Sequence, residues 1–426
     1  MQKKSDILWK KRKYLLSLVV LLAIVLYGNT LNHGYVLDDH SVILNHAHVQ
    51  NGIAGIPEIF TTNYRHGQGG FNDGLYRPLS LFTFALEWEW FAANPFVPHL
   101  INILLYALGC ALLFLALSLL FNSYPLVVPL AISLLFLSHP LHTEVVANIK
   151  GRDELLAFLG FSACLYFFSR HKLHTKWEHL FLALFFYLIA LFSKESAVTY
   201  AFIIPLILLM DHEMNRKKIL QSFLFLLPLA LGFIVLHQQM ISSMQQAVDP
   251  GNFSLLNNPI AATENVNIRW GSTFALQLLF LGKLIFPFSL QHDYSYQAIE
   301  LVSFTAISSI LGILIFIFLS GFTMVGLFRK NKWGIIAGIY LLSIGVASQL
   351  IRPIGVHFAE RMLFLAVLPL SIFVILGLYH WGKKAKNIRT QKRLMLFSGL
   401  LIFIFGIQTF QRNKAWANNL SLYQAD

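Results

Sequence analysis

Apolar residues in this chain come in long uninterrupted runs, not in alternating or short-period stripes. Eleven runs read as membrane-crossing helices, at approximately 14–31, 99–121, 125–138, 153–169, 177–193, 196–211, 219–239, 302–328, 334–351, 362–381 and 394–411. A bilayer core has no water for backbone N–H and C=O groups, so each run must close its hydrogen bonds internally as a helix. The pattern therefore predicts an all-α polytopic membrane protein with about eleven transmembrane helices. A further segment, 270–287, is nearly as apolar, but Lys283 interrupts it, and it reads as an interfacial or re-entrant helix.

Composition agrees. Of 426 residues, 56% are hydrophobic and 12% charged, against about 25% charged in a soluble protein. The net charge of +12 would suggest a nucleic-acid partner in a soluble chain; here it has a topological cause, and no nucleic acid is expected. Put the N-terminus in the cytoplasm, and the basic stretches 1–13, 169–178, 212–218, 329–332 and 382–393 all fall inside, with 21 of the 32 Lys and Arg. Counting 270–287 as a span would break that agreement. The run at 14–31 is too long for a signal-peptide core and reads as a retained anchor. The two cysteines, Cys110 and Cys164, lie in apolar runs and imply neither a disulfide framework nor a cysteine metal site.

The acids are distributed the opposite way. Only Asp6, Glu178, Asp211 and Glu213 lie inside, and the other 16 of 20 are at or near the outer face. Acids contribute little to orientation, so this asymmetry locates polar chemistry outside. It begins with Asp38 and Asp39 in NHGYVLDDHSVILN, directly after the first span. By themselves they fit either a site or a solvated, helix-capping loop. A second outer stretch, HPLHTEVVANIKGRDE, gathers His139, His142, Glu144, Lys150, Arg152, Asp153 and Glu154 between two apolar runs. Its histidines and Glu144 leave a divalent metal open, although the spacing matches no HExxH-type motif. Lys194 and Glu195 stand together in LFSKESAV, either turning a hairpin or joining a site. RPIGVHFAER adds Arg352, His357, Glu360 and Arg361 on the outer side, where topology does not favour basic residues. Arg77 is held in a defined direction by Pro78. Arginine at a span end suits bidentate contact with a phosphate oxygen pair, as in a lipid-linked phosphosugar, or simple pairing with headgroups and acids. Trp88, Trp90 and Phe91 suit a belt at headgroup level in the first loop.

Six stretches in this order, YVLDDHSVILN, YRPLSLFTFALEW, SHPLHTEVVANIKGRDELLAF, LIALFSKESAV, HFAERMLFLAVLPL and RNKAWANNLSLY, run from near residue 30 to the C-terminal region. On them the chain resembles the multispan glycosyltransferases of the C superfamily. Within these it is similar to the transmembrane and tetratricopeptide-repeat-containing O-mannosyltransferases and their bacterial relatives. The resemblance implies a transmembrane domain over 1–411 whose large first outer loop, 32–98, carries helices lying on the membrane, and an outer tail over 412–426. The tetratricopeptide repeats that often follow the RNxxW stretch are not present in the sequence, by absence or truncation. It further implies an inverting transfer of mannose or another hexose from a polyprenyl-phosphate donor to a hydroxyl on a protein or glycan acceptor. Asp38 is then the expected base, with Asp39 orienting it or exchanging roles with it. Lys150, Arg152 and Arg361 are expected at the donor phosphate, and His142 and Glu144 at sugar or acceptor. Arg77, His139, Lys194, Glu195, His357 and Glu360 complete the expected substrate-binding set. No cofactor is certain on this scheme, and a divalent metal stays open. The expected setting is a bacterial inner membrane with the site facing outward, or the lumenal face of the endoplasmic reticulum. The rivals are transfer to a glycan or lipid, a flippase for a lipid-linked sugar, and a non-catalytic scaffold. The absence of an internal repeat and the gathering of charge at one face favour an enzyme.

Overall fold

The computed structural model describes residues 2–70, 74–173, 176–211, 213–242, 255–295, 298–351, 353–384 and 388–426, and among them every regular element is helical. In chain order the main helices are α1 (Gln2–Tyr27), α2 (Pro78–Phe91), α3 (Phe96–Leu120), α4 (Val127–Leu137), α5 (Thr143–Ala147), α6 (Arg152–Leu173), α7 (Trp177–Ser193) and α8 (Tyr200–Leu209). They continue as α9 (Arg216–Ser242), α10 (Val266–Ile285), α11 (Ile307–Arg329), α12 (Lys332–Ser343), α13 (Val367–Lys384), α14 (Ile388–Asn413) and α15 (Asn419–Ala425).

Each of the eleven apolar runs is largely helical. By length and composition fewer than eleven of them qualify as crossings on their own. Among the described residues, five helical segments are long and apolar enough to cross a membrane: Arg12–Asn32, Phe96–Leu120, Arg216–Ser242, Ile307–Arg329 and Arg393–Ala417. A sixth is available if α4 and the stretch Pro140–Ala147, bent by 53° between them, form one broken span. Helices α7, α8 and α12 are shorter, at 17, 10 and 12 residues. Hydropathy averaged along a run does not see where a Pro, a charge or a polar turn ends the helix early. Pro140 and the clustered charges after it do this in the second outer stretch.

Helix packing is close because small residues let backbones approach. A side chain at Gly160 of α6 would lie 2.5 Å from the Phe186 carbonyl of α7, and one at Gly109 of α3 would meet the Phe158 ring at 2.7 Å. Gly326 and Gly334 bring α11 against α12 backbone to backbone. Faces pointing away from the bundle carry exposed large apolar residues such as Phe181, Leu224, Ile317 and Phe403, the side a bilayer would cover.

The first loop is folded rather than open. Helical turns over 40–61 and α2 close on a small core of their own that includes Val42, Ile59, Tyr64, Phe84 and Ile149. Pro78 occupies the first position of α2, where the missing N–H costs nothing. Trp88 packs against this core, whereas Trp90 and Phe91 are exposed at the end of α2. Helix α10 covers most of 270–287. Ser272 bonds Val302 ahead of α11, and the Leu284 carbonyl accepts from His139, so both ends of α10 contact residues that the charge pattern assigns to the outer side.

Substituting Gly160 by Leu should destabilise the fold by about 1–3 kcal/mol of overpacking and lower the thermal unfolding midpoint. Gly399→Leu, which meets nothing within 4 Å, should leave it unchanged. A scanning thermal assay on the detergent-solubilised protein separates the two.

Candidate active site

The acidic loop is built by its two ends. After α1 the chain turns through Gly28–Asn32 and runs extended to Val36. Leu37 then adopts φ +47, a left-handed conformation that a branched side chain avoids and that costs about 1–3 kcal/mol unless held. It is held by the C-terminal stretch. The Leu37 N–H donates to Asn419 Oδ1 at 2.9 Å and the Gly34 N–H to the Ala417 carbonyl at 2.9 Å. Trp416 is buried against Val36, Ala147 and Leu422, and Asn413 Nδ2 donates to the Leu26 carbonyl at 2.8 Å. The residues RNKAWANNL therefore set the backbone from which Asp38 and Asp39 project.

The two aspartates are not equivalent. Asp39 is fully buried; Oδ2 accepts the Val36 N–H at 2.9 Å and Oδ1 the Lys150 N–H at 2.7 Å. It fastens the first loop to the second outer stretch. Burial pushes its carboxyl up to about 7, against those two amide bonds, with the Asp38 charge adding to the rise. The Asp38 side chain is 37% exposed and pairs with Arg65 Nη2 at 2.8 Å. Burial alone would raise it, but the charges of Lys150, Arg65 and Arg361 outweigh burial and hold it below the ordinary carboxylate range. Asp38 thus stays ionised with an open side.

Around Asp38 the charges are matched in pairs. Arg77 is sandwiched between Asp153, at 2.5 Å from Nη1, and Glu195, at 2.8 Å from Nη2. Lys150 Nζ lies 3.3 Å from the same Asp153 carboxylate. Lys194 pairs with Glu154. Glu144 takes the Arg361 N–H at 2.7 Å on one oxygen and the Arg361 guanidinium on the other. The charges of Lys150 and Arg361 act on Asp38, and those of Lys150, Arg77, Lys194 and Arg361 on Asp153, so these residues and Glu195 form one electrostatic network that joins the first loop, the second outer stretch, the α7–α8 corner and the turn before α13. Arg361 is its most open cation apart from Arg65, with a quarter of its side chain exposed.

Several expected residues prove to be occupied by structure. Arg152 is fully buried: Nε donates to Asn102 at 2.8 Å, Nη2 to the Pro98 carbonyl at 2.8 Å, Nη1 engages Thr83 and Glu87, and the guanidinium lies on the Phe84 ring. No face is left for a donor phosphate. His142 donates from Nε2 to the Phe364 carbonyl at 3.1 Å, and its Nδ1 meets the Tyr106 hydroxyl at 2.7 Å, between the rings of Phe136 and Phe364. His139 donates to the Leu284 carbonyl at 3.0 Å and packs on Phe405. Both are buried core histidines that tie the kinked α4–α5 segment to its neighbours. Among the described residues, no three His, Cys, Asp or Glu side chains converge in a metal-holding group. Glu360 accepts from Tyr294 at 2.6 Å and from the Gln291 N–H at 2.8 Å; burial, with nearby Glu144 adding to it, pushes its carboxyl up to about 8 against those bonds. It is a clamp on the loop after α10. His357 is buried, with neither ring nitrogen partnered among the described residues. Arg352 lies outside the described residues.

Four participants escaped the sequence reading as site members. Arg65 lies in a glycine-containing loop with no motif around it, and only the fold brings it to Asp38. Asp153 was visible as a charge, but its pairing with Arg77 is set by loop closure across 76 residues. Asn413 and Asn419 carried a signal, their repeated place around a tryptophan in RNKAWANNL, whose meaning is positional.

No family model matches the chain. It is similar to human protein O-mannosyl-transferase TMTC3, 25% identical over 96% of this chain and 47% of the human protein. It is likewise similar to protein O-mannosyl-transferase F38B6.6 of Caenorhabditis elegans, 25% identical over 96% of this chain and 57% of that protein. With Drosophila melanogaster protein O-mannosyl-transferase Tmtc1 it shares 26% identity over 95% of this chain and 56% of the fly protein. The resemblance seen in the short motifs thus extends over nearly the whole chain, which spans about half the length of these curated relatives.

Asp39 gives a pH test. Its folded carboxyl sits at about 7 against an ordinary 3.8, so its contribution to stability is present at low pH and is lost as pH rises to about 7. Relative to Asp39→Asn, which cannot titrate, wild-type stability should fall across that window. A difference between the two proteins that does not vary with pH would show that Asp39 ionises as an ordinary carboxylate.

Proposed function

We propose that the chain is an inverting glycosyltransferase. It moves mannose or another hexose from a polyprenyl-phosphate donor to a protein Ser or Thr hydroxyl on the outer face of a multi-pass membrane domain. The observation that carries this reading is Asp38: a carboxylate kept ionised by surrounding cations, partly open, and fixed by a strained backbone that two distant segments hold. The similarity to proteins named O-mannosyl-transferases supplies the reaction class and the acceptor.

The chemistry follows from what such a donor needs. A polyprenyl phosphate is a competent leaving group and requires charge stabilisation rather than protonation. The acceptor oxygen attacks the anomeric carbon, forming a new C–O bond as the bond to the phosphate oxygen breaks. The electron pair leaves with the phosphate. Asp38 takes the hydroxyl proton, a single general base in place of the paired acid and base of a glycosidase. Arg361, anchored by Glu144 through its backbone and one side-chain nitrogen, directs its remaining donors toward the phosphate, and Lys150 adds positive potential from behind. Arg77, Glu195 and Asp153 keep these groups in register, and Asp39 orients the loop.

On this reading the eleven helical runs form an odd-numbered bundle with the N-terminus inside and the site outside. The membrane is a bacterial inner membrane. The relatives named above are animal proteins, which keeps the endoplasmic reticulum as the alternative setting.

Radiolabelled polyprenyl-phosphate mannose supplied to purified protein with a Ser/Thr peptide tests the proposal. Asp38→Asn should lose transfer by about 10²–10⁴-fold with an unchanged unfolding midpoint; full activity in that variant excludes Asp38 as the base. Arg361→Ala should raise the donor KM. Arg152→Ala should instead compromise folding, by about 3–5 kcal/mol, because it strands buried Glu87.

A further inference from the structure

An open cavity of about 750 Å³ has no residue of the charge network in its lining. It is lined by the loop after α10, the end of α14 and helix α15, and its polar side chains include Gln291, Gln408, Gln411, Arg412, Lys414 and Gln424. Its volume is in the range of about 300–1,000 Å³ typical of ligand sites.

Its walls are continuous with the two clamps of the proposed site. On one side, the Gln291 N–H donates to Glu360, whose chain neighbour is Arg361. On the other, Ser421 belongs to the segment in which Asn419 holds Leu37 next to Asp38. A molecule in the cavity therefore lies against both the segment that positions the base and the one that positions the phosphate-facing arginine.

The lining selects the ligand class. Three carboxamides, those of Gln291, Gln411 and Gln424, each carry a donor and an acceptor without charge, the pattern that meets peptide N–H and C=O groups whatever the sequence. Gln408 spends its Nε2 on the Pro287 carbonyl and keeps its Oε1 buried, so it serves the wall of the cavity and not its contents. Phe288 is exposed in the lining and offers an apolar surface to one side chain. A prenyl chain would need a continuous aliphatic track, which these residues do not make. Arg412 is neutralised by Asp426 at 2.8 Å, which leaves Lys414 as the surplus charge of the lining.

We propose that this cavity is the acceptor site, holding an extended polypeptide segment by its backbone, with acidic residues near the Ser or Thr favoured through Lys414. The proposal rests on the transferase reading above.

The test uses the full chain in liposomes with polyprenyl-phosphate mannose and a pool of Thr-containing decapeptides. Two variants are compared with wild type: Gln411→Leu/Gln424→Leu, and the cavity-filling Ala425→Trp. Both should raise peptide KM about tenfold, the scale of one or two lost hydrogen bonds. Release of polyprenyl phosphate to water without peptide should be unchanged. Lys414→Glu should reverse the preference between acidic and basic decapeptides. A peptide KM indifferent to both variants, or donor hydrolysis that falls with it, overturns the assignment. So does an oligosaccharide that competes at the cavity better than peptide. A wild-type protein that neither hydrolyses donor nor modifies peptide removes the transferase reading itself, and the acceptor site with it.

Discussion

A charge beside a lipid bilayer cannot be left without a partner, and that constraint organises this protein. The buried acids of the network each have a specified partner: Asp153 and Glu195 share Arg77, Glu154 takes Lys194, Glu144 takes Arg361, and Glu87 takes Arg152. Each pair joins segments far apart in sequence, so neutralising the charges also assembles this face of the protein. Asp39 does the same with two backbone amides in place of a cation. Within so closed a set Asp38 is the most accessible acid, its side chain 37% exposed against 24% for Glu195.

The same logic separates structural from chemical roles among residues of one type. Arg152 and Arg361 both stand near the outer ends of apolar runs, and both pair with a glutamate. Arg152 is enclosed by Asn102, Thr83, Glu87, Pro98 and the Phe84 ring. Arg361 is fixed at one edge and exposed at the other. His139 and His142 serve as hydrogen-bonded spacers where the bent α4–α5 segment needs polar contacts that a bilayer cannot supply. Position in a motif records that a residue matters to the fold or the site; burial and pairing tell which.

Much of the architecture was legible in the sequence because helices in a membrane announce themselves by composition. The long runs near 14–31, 99–121 and 219–239 became long helices, and the acid pair stood at the end of the first of them. Crossing number was less legible, since α8 and α12 are shorter than the apolar runs suggested and α7, though it fills its run, has only 17 residues. The site was legible as a list of segments, not as a set of contacts. Nothing local in DD says that one aspartate is buried under two amides while the other faces out. Nor does RNKAWANNL reveal that it holds Leu37 in a left-handed turn across nearly the whole chain. Both depend on loop closure between distant parts, which residue identity and spacing do not encode singly.

The central claim is that one carboxylate deprotonates the acceptor while the lipid phosphate leaves from the opposite side of the anomeric carbon, with no covalent sugar–protein intermediate. The anomeric configuration of the transferred sugar tests this most directly. Nuclear magnetic resonance of the glycopeptide made from a donor of known configuration should show inversion. Retention would require a double displacement and would contradict the account of Asp38 as the base.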